Sequence, residues 1–266
     1  MKAQRKILTI LAVFSCLFIV ANKSAAQPKS TYQQMTDEQR TAFVATQARR
    51  IARQMSGRDY EFTPAFEAAI RKAVEGYVKR IGSGNSHDAG LILQRGQTVA
   101  PALVRIFKMR NVSPLVGLYI PFIESEYQNL ESPNSMGALG MFQFLPQTGA
   151  HFGLTTRDLL DVDKSADAAA RYIADGMSKF EDDPMKEALA LLAYNRGTRT
   201  VEQDVASFVN EQNRACSICA LTEQAGKMDA NFQKENVYYV PRFFAAAIIG
   251  ENPRAFGLQM QPLSEL

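Results

Sequence analysis

Histidine and cysteine are scarce in this chain, two of the first and three of the second among 266 residues. A zinc site draws heavily on these residue types, and His87 and His151 leave it few ligands. No metal and no other cofactor is implied. A basic stripe with interleaved aromatics is also missing, which argues against nucleic acid as a partner. Internal repeats, low-complexity tracts and alternating strand patterns are absent as well. Near the start lies an uncharged, mostly apolar run, Ile7 to Val20. As a helix it reaches only ~21 Å, short of the roughly 30 Å of hydrocarbon that a spanning segment crosses.

That run has the setting of a secretory leader. Lys2, Arg5 and Lys6 precede it, and "KSAAQ" follows with small residues, so a signal peptide over 1–26 cut near Ala26 is expected. Export to the periplasm or cell envelope fits better than a permanent anchor. The leader takes four of the 30 Lys and Arg and none of the 27 Asp and Glu, so the remainder is close to neutral. The rest, ~240 residues, is long enough to bury a full core as one or two domains. Cys216 and Cys219 remain, in "ACSIC". In an oxidising compartment a local disulfide is the first reading, with free thiols the alternative.

Past "QPKSTYQQM" (27–35), polar, aperiodic and expected to be a flexible lead-in, the pattern is helical. "DEQRTAFVATQARRIARQM", "TPAFEAAIRKAVEGYVKRI" and "PALVRIFKMR" repeat apolar residues at three and four, so that Phe66, Ile70, Val74 and Val78 share a face. "GSGNSHDAG" (82–90) reads as a loop. Ser113 followed by Pro114, and Asp183 by Pro184, predict two helix starts in which the first residue caps and proline fills the first helical position. The second of these helices is expected to stop at Gly197. Pro121 is expected to bend the first.

"PFIESEYQNL" (121–130) closes that first helix with two carboxylates. Glu124 follows Ile120 and Gly117 along an apolar face, whereas Glu126 is turned roughly 200° away. If the face is buried, loss of water raises the Glu124 pKa and makes it a proton donor. Spacing alone does not settle the matter and leaves an exposed, solvated Glu124 open. The glycine-bearing segment "SMGALGMFQFLPQTGAHFGL" follows, with Gln143 able to donate to and accept from sugar or amide groups.

Five stretches in order, "ESEY", "GALGMFQFLPQTGAHFGL", "DAAARYI", "ALALLAYNRG" and "YVPRFFAAAIIGENP", resemble the motifs of lytic transglycosylases with a goose-type-lysozyme-like catalytic domain. The resemblance is nearest the membrane-bound lytic murein transglycosylase D group. It runs from about Ser113 to Gly257, and more loosely from residue 64. It implies an all-α, lysozyme-like (SLT-type) helical domain at 108–266, preceded by a linker and N-terminal helical extension at 27–107. It further implies peptidoglycan glycan strands as substrate, with 1,6-anhydromuramic ends as product.

By the same resemblance Glu124 is the single acid and base. Gln143, Tyr194, Asn195 and Phe142 match substrate-contacting positions. Asn134 stands where the family has a serine, a place that Ser132 or Ser135 could fill, and Ser135 is carried as a substrate-binding candidate. Asn129 replaces a usual proline, and Phe142 a common tryptophan. A hydrolase of the same fold and a non-catalytic wall-binding scaffold are the competing readings. A cell-wall machinery partner stays open, as does the oligomeric state.

Overall fold

The computed structural model describes residues 31–266, so the expected leader and its cut near Ala26 lie outside the described residues. Among the described residues the chain is all α-helix, without a strand; one isolated antiparallel bridge joins Leu139 and Phe144. The principal helices are α1 (Thr31–Gln34), α2 (Asp37–Ser56), α3 (Pro64–Val78), α4 (Ala89–Met109), α5 (Pro114–Ser125), α6 (Pro146–His151), α7 (Val162–Lys179), α8 (Lys186–Arg196), α9 (Thr198–Phe208), α10 (Ser217–Glu223) and α11 (Val237–Gly250).

Helix starts follow from short polar side chains. Thr36 Oγ accepts from the Gln39 amide while Gln39 Oε1 accepts from the Thr36 amide at 2.8 Å, a reciprocal cap that opens α2. Thr63 and Asp88 cap α3 and α4 through their side-chain oxygens. The face shared by Phe66, Ile70, Val74 and Val78 is buried, and α3 packs on α11. Two helices, α5 and α11, are apolar on nearly every side and take the centre. Each large side chain buried there contributes about 1.5–3 kcal/mol. Close approach of α4 to α5 depends on Gly117, since a Cβ at that position would enter the Phe107 ring.

Three expectations need correction, and a fourth, the helix stop at Gly197, is met with a different backbone conformation. The lead-in is not loose from Thr31 onward. Tyr32 is fully buried, stacks near Phe43 and Phe256, and donates to Glu75 Oε1 at 3.0 Å. Ser113 does precede α5, but its hydroxyl donates to the Gln54 carbonyl at 3.3 Å instead of capping. The later helix starts at Lys186, not Pro184, because Asp183 Oδ1 accepts from the Met185 amide and from Ser217 Oγ and so holds a turn ahead of it. Gly197 ends α8 at φ 88° and ψ 134°, an open conformation that leads straight into α9.

The expected division at 107/108 falls inside the last turn of α4, and the helices before and after it share one hydrophobic core. Tyr60 on the early side donates to Glu187 Oε2 at 2.6 Å on the late side. The N-terminal helices are therefore built into the body that carries the site.

Candidate active site

Helix α5 runs through Pro121 and ends one residue after Glu124. The chain leaves it through two consecutive left-handed residues, Glu126 at φ 54° and Tyr127 at φ 57°. This reversal sends the two carboxylates apart. Glu126 accepts from His87 Nδ1 at 3.0 Å and pairs with Arg80 and Arg95 at 3.5 and 3.7 Å. Glu124 sits on the floor of a groove of about 390 Å³.

The Glu124 side chain is only partly exposed. Burial pushes its carboxyl up to about 7 from an ordinary 4.5. A hydrogen bond from Tyr239 and the charge of Arg242 oppose that rise, and the charge of Glu235 adds to it. Tyr239 Oη donates to Glu124 Oε1 at 2.6 Å. Burial drives the phenols of Tyr239 and Tyr194 well above their usual range, so both stay neutral donors at every working pH.

The opposite wall comes from the loop after α5 and is held by small polar links. Ser125 Oγ donates to the Met141 carbonyl at 2.7 Å, which ties the helix end to the glycine segment. Gly140 takes φ +74° with the Leu159 carbonyl against the space a Cβ would need. Gln143, left-handed at φ 51°, donates through Nε2 to the Gly140 carbonyl at 2.8 Å and accepts at Oε1 from Asn134 Nδ2 at 3.1 Å. Asn134 Oδ1 in turn accepts from the amides of Met136 and Ala138. Gln143 and Asn134 both line the groove.

The third wall is α8 and the turn before α11. Tyr194 lines the groove and donates to the Phe142 carbonyl at 2.8 Å, so its hydroxyl meets a ligand through its lone pairs. Asn195 Oδ1 accepts from Asn236 Nδ2 at 2.6 Å, and Asn236 Oδ1 accepts from Arg196 at 3.0 Å. Arg196 is fixed by Asp204 and Asp229, each at 2.5 Å. The groove thus offers amides, hydroxyls and the rings of Phe144, Tyr172 and Tyr194, a set suited to an N-acetylated sugar.

Glu124, Gln143, Tyr194 and Asn195 are brought together as expected of one site. Two candidates are not. Phe142 is fully buried against Phe107, with ring centroids 6.3 Å apart, so its ring belongs to the core and does not face the groove. Ser135 is exposed and is not part of the lining, because Asn134 takes the inward place and fills the loop's hydrogen bonds itself. Cys216 and Cys219 form a disulfide with Cα atoms 5.2 Å apart, outside the groove lining.

Sequence reading did not single out Glu235, Asn236 and Arg196 as lining residues, nor Tyr239 as the partner of Glu124. Glu235 precedes Tyr239 by one turn but itself lies in a π-helical turn, Phe232–Asn236, which hides the register. Among the described residues no group of three or more His, Cys, Asp or Glu could hold a metal ion.

The transglycosylase SLT domain is the family whose model matches, over residues 105–216, which supports a domain of lytic-transglycosylase type there. The all-α architecture is that of a lysozyme-like domain of this type, and the domain type implies peptidoglycan as its substrate. No curated protein matches the chain. Glu235, Tyr239 and Arg242 act on Glu124 from beyond the matched stretch.

Proposed function

We propose that this protein is an exported peptidoglycan lytic transglycosylase, of the kind typified by the membrane-bound D group. It would cut the β-1,4 bond between N-acetylmuramic acid and N-acetylglucosamine. The observation that carries this reading is Glu124, a single half-buried acid at the groove floor whose carboxyl is pushed up to about 7. At neutral pH roughly half of such groups hold a proton to give.

In the proposed cycle the Glu124 proton passes to the glycosidic oxygen as its bond to C1 breaks. The resulting carboxylate, accepting from Tyr239, then takes the proton of the C6 hydroxyl while O6 bonds to C1. The ring closes on itself, no water is consumed, and Glu124 ends as it began. A second carboxylate is unnecessary because the sugar supplies the nucleophile.

One observation favours a second reading. Glu235 lines the same groove, and an inverting hydrolase places a base roughly 6.5–9.5 Å from the acid to activate water. Digestion of purified sacculi separates the two. Anhydromuramic ends detected by mass spectrometry support the transglycosylase; reducing muramic ends carrying ¹⁸O from labelled water support the hydrolase and overturn the first reading.

A further inference from the structure

A second cavity, of about 400 Å³, lies where the ends of α3 and α5 meet α11 at Arg242. Its walls include Gly76, Tyr77 and Arg80 from the α3 side, Ile123 and Glu126 from the α5 side, and Arg242. Ile123 and Glu124 are adjacent in sequence, one facing each cavity. The volume is many times the ~30 Å³ that a water molecule occupies in the liquid.

The charges are unbalanced. Glu126 is the one carboxylate of the lining, and it is already shared among Arg80, Arg95 and His87. Arg80 also lies over the Tyr77 ring, 4.9 Å from its centroid. Arg242 makes no salt bridge among the described residues; its guanidinium donates to the Ile123 carbonyl at 3.4 Å, and its charge opposes the rise that burial gives the Tyr77 phenol. The Tyr77 hydroxyl, in the same lining, can donate to a further acceptor.

We propose that this cavity is a subsite for a carboxylate borne by the glycan, on the lactyl group or peptide of a muramic acid near the cut bond, held by Arg80, Arg242 and the Tyr77 hydroxyl. The assignment rests on the glycan-cleaving reading above and specifies its substrate. Paired guanidinium groups suit a carboxylate because their N–H groups match its two oxygens. The α3 wall lies outside the matched stretch, so recognition of the substituent is what the N-terminal helices add.

Occupancy would also be felt at Glu124. The groups facing that carboxyl are Tyr239 and Arg242 from α11, Tyr194 from α8 and Glu235 from the turn before α11. Of these Arg242 is the cation that holds the Glu124 pKa down, and an anion seated against it offsets its charge.

Three soluble strand preparations test the subsite: peptide-bearing strands, amidase-stripped strands with free lactyl carboxylates, and stripped strands amidated with carbodiimide and ammonia. For the wild-type chain, kcat/KM on the better carboxylated strand should exceed that on the amidated strand by about tenfold. Which of the first two wins identifies the source of the carboxylate. In Arg80→Gln and Arg242→Gln the ratio should fall toward one, and the alkaline limb of wild type should sit higher on carboxylated than on amidated strands. A wild-type ratio of one, or a ratio unaltered by both substitutions in folded protein, overturns the subsite. If no strand is cut at all, fluorescence-labelled strands read the same ratios as Kd, so loss of the cleavage reading and loss of the subsite are told apart.

Discussion

Tyr239 donates a hydrogen bond through its hydroxyl to Oε1 of Glu124 at 2.6 Å, across 115 residues of chain. The bond favours the ionised carboxyl, whereas burial favours the neutral one, and burial wins. The two effects together leave the acid near neutrality, where it can both give and retake a proton.

Glu124→Gln should lower kcat by about 10²–10⁴-fold or more while strands still bind, since the amide keeps the shape and loses the transferable proton. Turnover of sacculi and co-sedimentation with them check the two halves. Undiminished cutting would end the proposed mechanism.

The same substitution should change how stability depends on pH. A carboxyl raised from 4.5 to about 7 holds more proton in the folded than in the unfolded chain between those values, so stability falls as pH rises through that window. Glu124→Gln is neutral throughout, and its advantage in Tm over wild type should grow from pH 4.5 to 7 and then level off. The full effect is at most about 3 kcal/mol. Parallel thermal melts across pH would show it; a constant difference would contradict a raised Glu124 pKa.

Tyr239→Phe removes the contact that steadies the carboxylate, so the Glu124 pKa should rise further. The alkaline limb of kcat/KM should move up by about one pH unit, a charge-assisted hydrogen bond being worth ~1.5–3 kcal/mol. A pH–rate profile with an unmoved limb would show that the phenol serves packing alone.

Arg196→Met should strip Asp204 and Asn236 of their partner. Asp204 is buried, and an orphaned buried charge destabilises by about 3–5 kcal/mol. Asn195 would lose the amide that orients it, so KM should rise alongside the lower Tm. Calorimetry with steady-state kinetics on stripped strands would test both.

Replacing Cys216 and Cys219 together by serine should lower stability by ~2 kcal/mol, the scale for so short a loop, and leave kcat within about twofold. Reductant should then shift the Tm of wild type but not of the variant. A large loss of activity would mean that α10 supports the groove, which its place outside the lining does not suggest.

Most helices could be read from the chain because their causes are local. Thr36, Thr63 and Asp88 sit beside the amides they cap, and the repeat of Phe66, Ile70, Val74 and Val78 needs only the pitch of a helix. Glu124 could be noticed for the same reason, as a carboxylate one turn beyond Ile120 on an apolar face, but spacing left it open to solvent and its choice as the acid came from the resemblance. Ser113 and Asp183 misled because each hydroxyl or carboxylate found a partner elsewhere, at Gln54 and Ser217.

Periodicity and capping, which act over a turn or two, therefore settled that this chain is helical and where its acid lies along α5. Packing decided whether that acid would lose its water, which tyrosine would face it, and that Phe142 would go inward while Asn134 took the place considered for Ser135. Desolvation and long-range charge depend on everything within a few ångströms, and Tyr239, Glu235 and Arg242 enter that volume only once α11 is laid against α5.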